Sequence, residues 1–399
     1  MLFRSGRVRS TIMVLAVAVI AASALMPEDA AAIPAFARKY RMSCTTCHAP
    51  VPRLKAYGED FAGNAFRLED KEPKRFFPDT GDDMLTLQRE LPIAVRFDAY
   101  FLYDYHKEKN MTDLQTPFGV KLLSGGNISK NIGYYFYFYM SEKGEVAGIE
   151  DAYVHFNNLF GVDFDLMVGQ FQVSDPLFKR ELRLTYEDYY IYKVRVGNTA
   201  TNLTYDRGLM FTYGTDIGFG AVFEVVNGNG KGEAHDGYLD EDNWKNFLLR
   251  ISQSLGPVRI GAFGYSCNTR ADNEGTTVEN AHWYAGADGT IDYEDKLQLN
   301  LQYVFREDEN PWLQTVGAAK VETKGGFAEL IYAPQGEAGR HWIVLLYNYV
   351  DSQQKELNEN AGTLSYSWLL RRNLRLLAEG TYSDTRETFR FTGGFVSAF

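Results

Sequence analysis

Cysteine is almost missing from this chain: of 399 residues only Cys44, Cys47 and Cys267 carry a thiol. So few thiols exclude a disulfide-stapled scaffold. Beyond the first 32 residues there is also no apolar run near the twenty residues or so that a membrane-crossing helix requires. Positive charge is in deficit, with 41 Lys and Arg against 52 Asp and Glu and a formal net charge of −11. A phosphate-binding surface needs clustered cations, so no nucleic-acid partner is expected. What the chain has in excess is aromatic side chains and glycine: 26 Tyr, 27 Phe and 36 Gly.

Two of the three cysteines stand together, in Arg41-Met42-Ser43-Cys44-Thr45-Thr46-Cys47-His48-Ala49-Pro50. The spacing Cys-x-x-Cys-His is the attachment signature of a c-type haem. Each thiol can add to one vinyl group of a single porphyrin, and the next residue, His48, is then placed as the axial ligand of the iron. The competing readings are a reactive dithiol or half a zinc site. A zinc site wants further Cys or His nearby, yet the next histidine is His106 and the remaining cysteine is Cys267. One haem c per chain, bound by Cys44, Cys47 and His48, is the working expectation. For the sixth iron position the candidates are Met84, which follows a linker and can fold back, and the closer Met42. Methionine ligation would raise the potential and suit electron transfer.

Residues 1–32 read as a secretory signal. Arg4, Arg7 and Arg9 form a basic start, Ile12 to Met26 an apolar core, and Ala30-Ala31-Ala32 a small-residue cleavage site. Export agrees with the motif, because c-type haem is attached outside the cytoplasm in bacteria. Residues 33–89 then form a small haem-binding segment and linker. Leu54, Tyr57 and Phe61 recur at helical spacing, and a segment this short lacks apolar mass of its own, which a porphyrin would supply. Asp70 to Asp83, charged and punctuated by Pro and Gly, reads as the linker.

From residue 90 the period changes to two. Ile93, Val95, Phe97, Ala99, Phe101, Tyr103 and Tyr105 alternate with Arg96, Asp98 and Asp104, and Leu297 to Phe305 alternates with Gln298, Asn300, Gln302 and Arg306. Sixteen such stretches are expected, beginning at 91–105 and ending at 387–399. Their links sort by parity, short ones such as 129–131, 255–257 and 371–373 against long charged ones such as 173–206, 228–245, 268–278 and 307–323. Short turns at one rim and long loops at the other are the mark of a transmembrane antiparallel β-barrel of the outer-membrane type, over residues 90–399. Tyr134 to Tyr139 is expected in an aromatic girdle at the membrane interface. Phe389, Phe391, Phe395 and Phe399 resemble the C-terminal strand by which bacterial outer-membrane barrels are recognised for assembly. The loop segment Phe178–Asp188 mixes apolar and charged residues. It is read either as a constriction inside the barrel, where Lys179, Arg180 and Arg183 would favour anions, or as a lid pinned by ion pairs. His106, His155, His235, His282 and His341 form no catalytic constellation, so enzymatic haem chemistry such as a peroxidase is not expected.

The barrel resembles a porin. Phe36 to Pro50, with Pro52, Leu54, Tyr57, Gly58 and Phe61, is similar to the N-terminal segment of monohaem cytochrome–barrel proteins of respiratory bacteria, notably metal-reducing ones. That resemblance implies an outer-membrane location, a haem segment facing the periplasm, and electron transfer with periplasmic or multihaem cytochromes as partners. The expected contacts are therefore outer-membrane lipid, those cytochromes and further copies of the barrel. The alternative is a solute-diffusion porin whose haem segment is a plug, a sensor or a structural staple.

Overall fold

Alternation of side chains across each extended segment decides the architecture. The computed structural model describes residues 35–68, 78–82, 84–89, 91–106, 109–240, 242–273 and 275–399. The expected signal peptide and part of the linker lie outside them. Three short helices come first: α1 (Ala35–Tyr40), α2 (Cys44–Cys47) and α3 (Ala56–Gly63). Sixteen strands follow among the described residues: β1 (Ile93–Tyr105), β2 (Met111–Ser129), β3 (Ile132–Glu142), β4 (Gly148–Phe156), β5 (Phe164–Gln172), β6 (Tyr205–Gly214), β7 (Phe219–Val226) and β8 (Asn246–Leu255). The second half comprises β9 (Val258–Asn273), β10 (Thr276–Tyr293), β11 (Leu297–Asp308), β12 (Val321–Tyr332), β13 (His341–Ser352), β14 (Glu359–Arg371), β15 (Leu374–Ser383) and β16 (Thr388–Ala398).

Each strand pairs antiparallel with its sequence neighbours, and β1 closes on β16 from Arg96↔Ala398 to Tyr105↔Phe389. Backbone bonds in both directions between Val95 and Phe399 complete that seam. Closure removes the unpaired edges that an open sheet would present, which is the condition for spanning a bilayer with strands.

The exterior is apolar. On β13 Leu345, Tyr347 and Tyr349 are exposed while Val344, Leu346, Asn348 and Val350 are buried, and β14 exposes Leu364, Tyr366 and Trp368 over buried Ser365 and Ser367. A barrel in water would reverse this order. Apolar side chains outside and polar ones inside suit hydrocarbon around the wall and a polar lumen. No described helix is long and apolar enough to cross a membrane.

Of the long links expected, those after β5, β7 and β11 persist as connections, and one does not. β9 and β10 run on to Asn273 and Thr276 as a tall hairpin, so residues 268–278 are not a long loop. Their alternating charges hid the period, and Arg270 in fact pairs across the hairpin with Glu279. The expected girdle at Tyr134 to Tyr139 is also corrected in part. Tyr137 and Tyr139 are buried within the barrel and Tyr135 stacks on the N-terminal segment, because a period of two sends every second ring of β3 inward.

Candidate functional site

The N-terminal segment is a small folded unit seated against the inner wall at the short-turn rim. Ser43 caps α2 by accepting from Thr45 N, and the His48 amide closes the turn onto the Cys44 carbonyl at 2.9 Å. The chain then doubles back: Ala49 N donates to Arg53 O at 3.0 Å and Lys55 N to Cys47 O at 2.8 Å. α3 crosses directly over α2, and a Cβ on Gly58 would lie 2.4 Å from the Cys47 carbonyl oxygen. Glycine is required there by close approach.

Aromatic packing and polar contacts attach this unit to the barrel. Phe36, Phe61 and Phe66 contact one another with centroids 5.2–6.0 Å apart, and Phe66 stacks on Tyr135 of β3 at 4.8 Å. At the turns, Arg53 donates to Gln298 Oε1 at 3.0 Å, Lys55 pairs with Glu337 at 3.4 Å, and Arg67 reaches Asn131 at 3.4 Å. Of the stripe expected on a helix, Phe61 is buried and Leu54 lies just before α3. Tyr57 faces outward at 43% exposure, so the stripe is narrower than its spacing predicts.

Between this unit and the wall lies a cavity of about 240 Å³. Met42, Cys44, Cys47, His48, Leu54 and Phe61 line its near side, and Leu123, Tyr135, Tyr153, Asp151 and Gln172 its far side. Both thiols are half-buried, and burial pushes each above the ordinary thiol range. His48 Nδ1 lies 3.1 Å from the Pro52 carbonyl and 3.3 Å from that of Arg53. Two acceptors at Nδ1 fix the tautomer with its proton there, leaving Nε2 as the free lone pair, the orientation a metal-ligating imidazole needs. Burial, outweighing these two carbonyls, holds the ring below the usual histidine range and hence neutral.

The cavity matches the amphiphilic character of a porphyrin. Its near side is apolar and aromatic, while buried Asp151 Oδ1 and Gln172 Oε1 on the far side have no hydrogen-bond partner among the described residues. The structure does not bring Met84 to this place. Met84 N is bonded to Asp82 Oδ1 in a polar turn and the side chain is 97% exposed, whereas Met42 lines the cavity. No long-range cue in the sequence points to Tyr135 or Gln172, although alternation along β3 puts Tyr135, Tyr137 and Tyr139 on one face.

The long segment between β5 and β6 folds into the lumen, as the constriction reading expects, and is held there by contacts with the wall and by ion pairs. Leu184 is fully buried against Ile331, Trp342 and Val344 on the opposite wall, and Tyr189 stacks on Phe327 at 4.0 Å. Backbone amides of Tyr186 and Glu187 donate to Glu379 at 2.8 and 2.9 Å. The cations expected to face passing anions are committed to carboxylates instead: Arg180, Arg183 and Lys193 to Asp188, and Lys179 to Asp175 at 3.3 Å.

Glu181 of this segment meets Lys121 Nζ at 3.3 Å and accepts from Tyr137 and Tyr139. Burial opposes its charge, but Lys121, Arg183 and Arg96 outweigh it and hold the carboxyl at about 2. A folded value below the unfolded one means stability present above the unfolded pKa and lost as pH falls through about 2, worth about 3 kcal/mol. The unfolding free energies of the native protein and Glu181→Gln should therefore differ by a constant amount from pH 5 to 8 and converge only below pH ~4. Convergence already between pH 7 and 5 would contradict this.

His155 and His282 are buried in the lumen wall, His155 beside Asp165 at 3.2 Å, and His341 stacks on Tyr366 and Trp368. None reaches the cavity beside Cys44. No protein-family profile matches the sequence, and no curated protein matches it. Solved structures do. The chain is similar to the anion-selective porin from Comamonas acidovorans, at 12% identity and TM-score 0.55, over 78% of this chain and 99% of that one. It is likewise similar to Salmonella typhi OmpF in complex with daunomycin, at 11% identity and TM-score 0.53, over 79% and 98%. A loop-deleted OmpT, an outer membrane protein of Vibrio cholerae, matches at 13% identity and TM-score 0.52, over 78% and 99%. At such identities the likeness establishes the fold: a closed antiparallel sixteen-stranded barrel of the outer-membrane porin kind.

Proposed function

We propose that this chain is an outer-membrane barrel that carries one covalent haem c in its periplasmic mouth and passes electrons to partner redox proteins there. The observation that carries this reading is the placing of Cys44, Cys47 and the Nε2 side of His48 around one amphiphilic cavity closed by the barrel wall. In it, Cys44 and Cys47 would hold the group through thioether links and His48 would offer its imidazole nitrogen to the iron; the group would supply one-electron redox chemistry. The surrounding residues have their own tasks. Phe36, Phe61 and Phe66 exclude water and dock the segment, while the Pro52 and Arg53 carbonyls hold the imidazole in one tautomer.

The apolar exterior supports insertion in a bilayer, and the parity of the links favours a periplasmic short-turn rim carrying the N-terminal segment. One such group cannot span a hydrocarbon layer of about 30 Å, so a second redox protein is needed for conduction across the membrane. A second reading, a diffusion porin in which the segment acts as plug or staple, is favoured by the likeness to a porin, and an OmpT of Vibrio cholerae among the similar structures is described as a trimer form. Two measurements separate these readings. Reconstituted protein is mixed with a reduced soluble c-type cytochrome while the α-band is followed, and the same preparation is examined in planar bilayers. Electron exchange with little conductance is expected. A redox-silent protein with large steady channels would replace this reading by the second.

A further inference from the structure

On the lumen side of Arg96 a second cavity of about 260 Å³ lies between the inward segment and the wall formed by β1, β2, β3, β15 and β16. Eight Lys or Arg side chains line it against five Asp or Glu. Adding the two carboxylates just behind the lining, Asp104 beside Arg390 and Glu379 beneath the Tyr186 and Glu187 amides, still leaves an excess of cations.

The pairings locate that excess. Arg96 and Lys121 are balanced by Asp98 and Glu181. Arg390 is shared between Asp104 and Glu187. A single carboxylate, Asp188, serves Arg180, Arg183 and Lys193. Arg375 is the extreme case. It is 3% exposed, its Nη1 donates only to the neutral Leu184 carbonyl at 2.6 Å and Ser367 hydroxyl at 2.8 Å, and its Nε has no hydrogen-bond partner. No carboxylate lies within ion-pair distance of it among the described residues. Asp98 and Glu379 act on it from a distance and Arg96 opposes them; a buried guanidinium with no carboxylate in contact is costly, and a donor fork of this kind matches carboxylate, sulfate and phosphate oxygens. Arg96, Arg183 and Arg375 all line this cavity together with Tyr100.

We propose that this cavity binds a small oxyanion, a phosphate, sulfate or short carboxylate, seated against Arg375 with Arg96 and Arg183 around it. Arg375 is thus the anion-binding residue, and not Lys179 or Arg180, whose charges are spent within the inward segment. The assignment does not depend on haem attachment.

The test uses the purified full-length protein in detergent, with inorganic phosphate, sulfate and acetate titrated separately by calorimetry at fixed ionic strength balanced with chloride. Saturable binding of at least one of these, near one per chain, is expected, weakened about tenfold or more in Arg375→Gln and unchanged in the distant Lys296→Gln. Acetate binding alone would identify the ligand as a carboxylate; phosphate or sulfate binding would identify a tetrahedral anion. Should Arg375→Gln fail to fold, the same anions should raise the unfolding temperature of the native protein above that in chloride, and Arg96→Gln should diminish the rise. Absence of saturable binding and of any such rise in the native protein, or equal affinity in Arg375→Gln, would overturn the proposal.

Discussion

Arg306→Met should destabilise the protein by about 3–5 kcal/mol, the largest loss expected of any single substitution on the barrel wall. Arg306 is 2% exposed and Asp308 fully buried, and they form a bidentate pair at 2.6 and 2.7 Å. The same guanidinium donates to Thr201 O at 3.1 Å, Thr199 Oγ1 at 3.0 Å and Tyr284 Oη at 2.6 Å. It therefore tethers the returning end of the inward segment to β11. Methionine would leave the Asp308 carboxylate buried without its partner and free the segment at residues 199–201. Denaturant unfolding measures the loss, and cleavage within 173–204 by an added protease measures the release. The double variant Arg306→Met with Asp308→Leu should recover most of the stability, because removing both charges leaves none unpaired. It should not recover protection from protease, since the bonds to Thr199 and Thr201 remain broken. A single variant as stable as the native protein would contradict this role.

Phe66→Ala should undock the N-terminal segment. Phe66 is 9% exposed, packs in parallel on Phe36 at 5.2 Å and stacks on Tyr135 at 4.8 Å. Truncating a buried phenylalanine costs about 3–5 kcal/mol. Here that cost falls on the docking of a segment otherwise held by Phe36 and Phe61 and by rim contacts through Arg38, Arg53, Lys55, Asn64 and Arg67. Charge pairs at an accessible rim contribute little. In planar bilayers the variant should show larger and fluctuating conductance, while its heat-modifiable migration on gels, a property of the barrel, stays native. Conductance equal to that of the native protein would mean that the mouth is not closed by this segment.

The barrel was legible in the sequence because its cause is local. A period of two recurs along every strand from Ile93 to Ala398, and the parity of link lengths encodes an up-and-down closed sheet without any knowledge of pairing. Where one face carries charge in place of apolar residues, as at Arg270 and Asp272 on β9, the period reads as loop. The candidate site was half legible. Cys44, Cys47 and His48 announce themselves by spacing, but the other wall of their cavity comes from Leu123, Tyr135, Asp151 and Gln172, on strands that sequence pattern assigns only to an interior face. Met84 had sequence proximity in its favour; the turn that Asp82 makes with its amide directs it to solvent. The fate of Lys179, Arg180 and Arg183 was not readable at all, because whether a cation faces a passing ion or an internal carboxylate depends on how the segment folds around Asp188. Likewise Arg375, two residues after a short turn, carries no local sign that it lies inside the barrel with no carboxylate in contact.

The most direct measurement is haem staining of the chain after a denaturing gel, taken from outer membranes of cells that also express a c-type haem attachment system. A stained band at the mobility of the chain, absent from a Cys44→Ala/Cys47→Ala variant that reaches the same fraction, is the predicted result. A native chain that inserts in the outer membrane with no covalent haem would contradict it, and would leave a porin-type barrel closed at one mouth by a segment in which Cys-x-x-Cys-His is incidental.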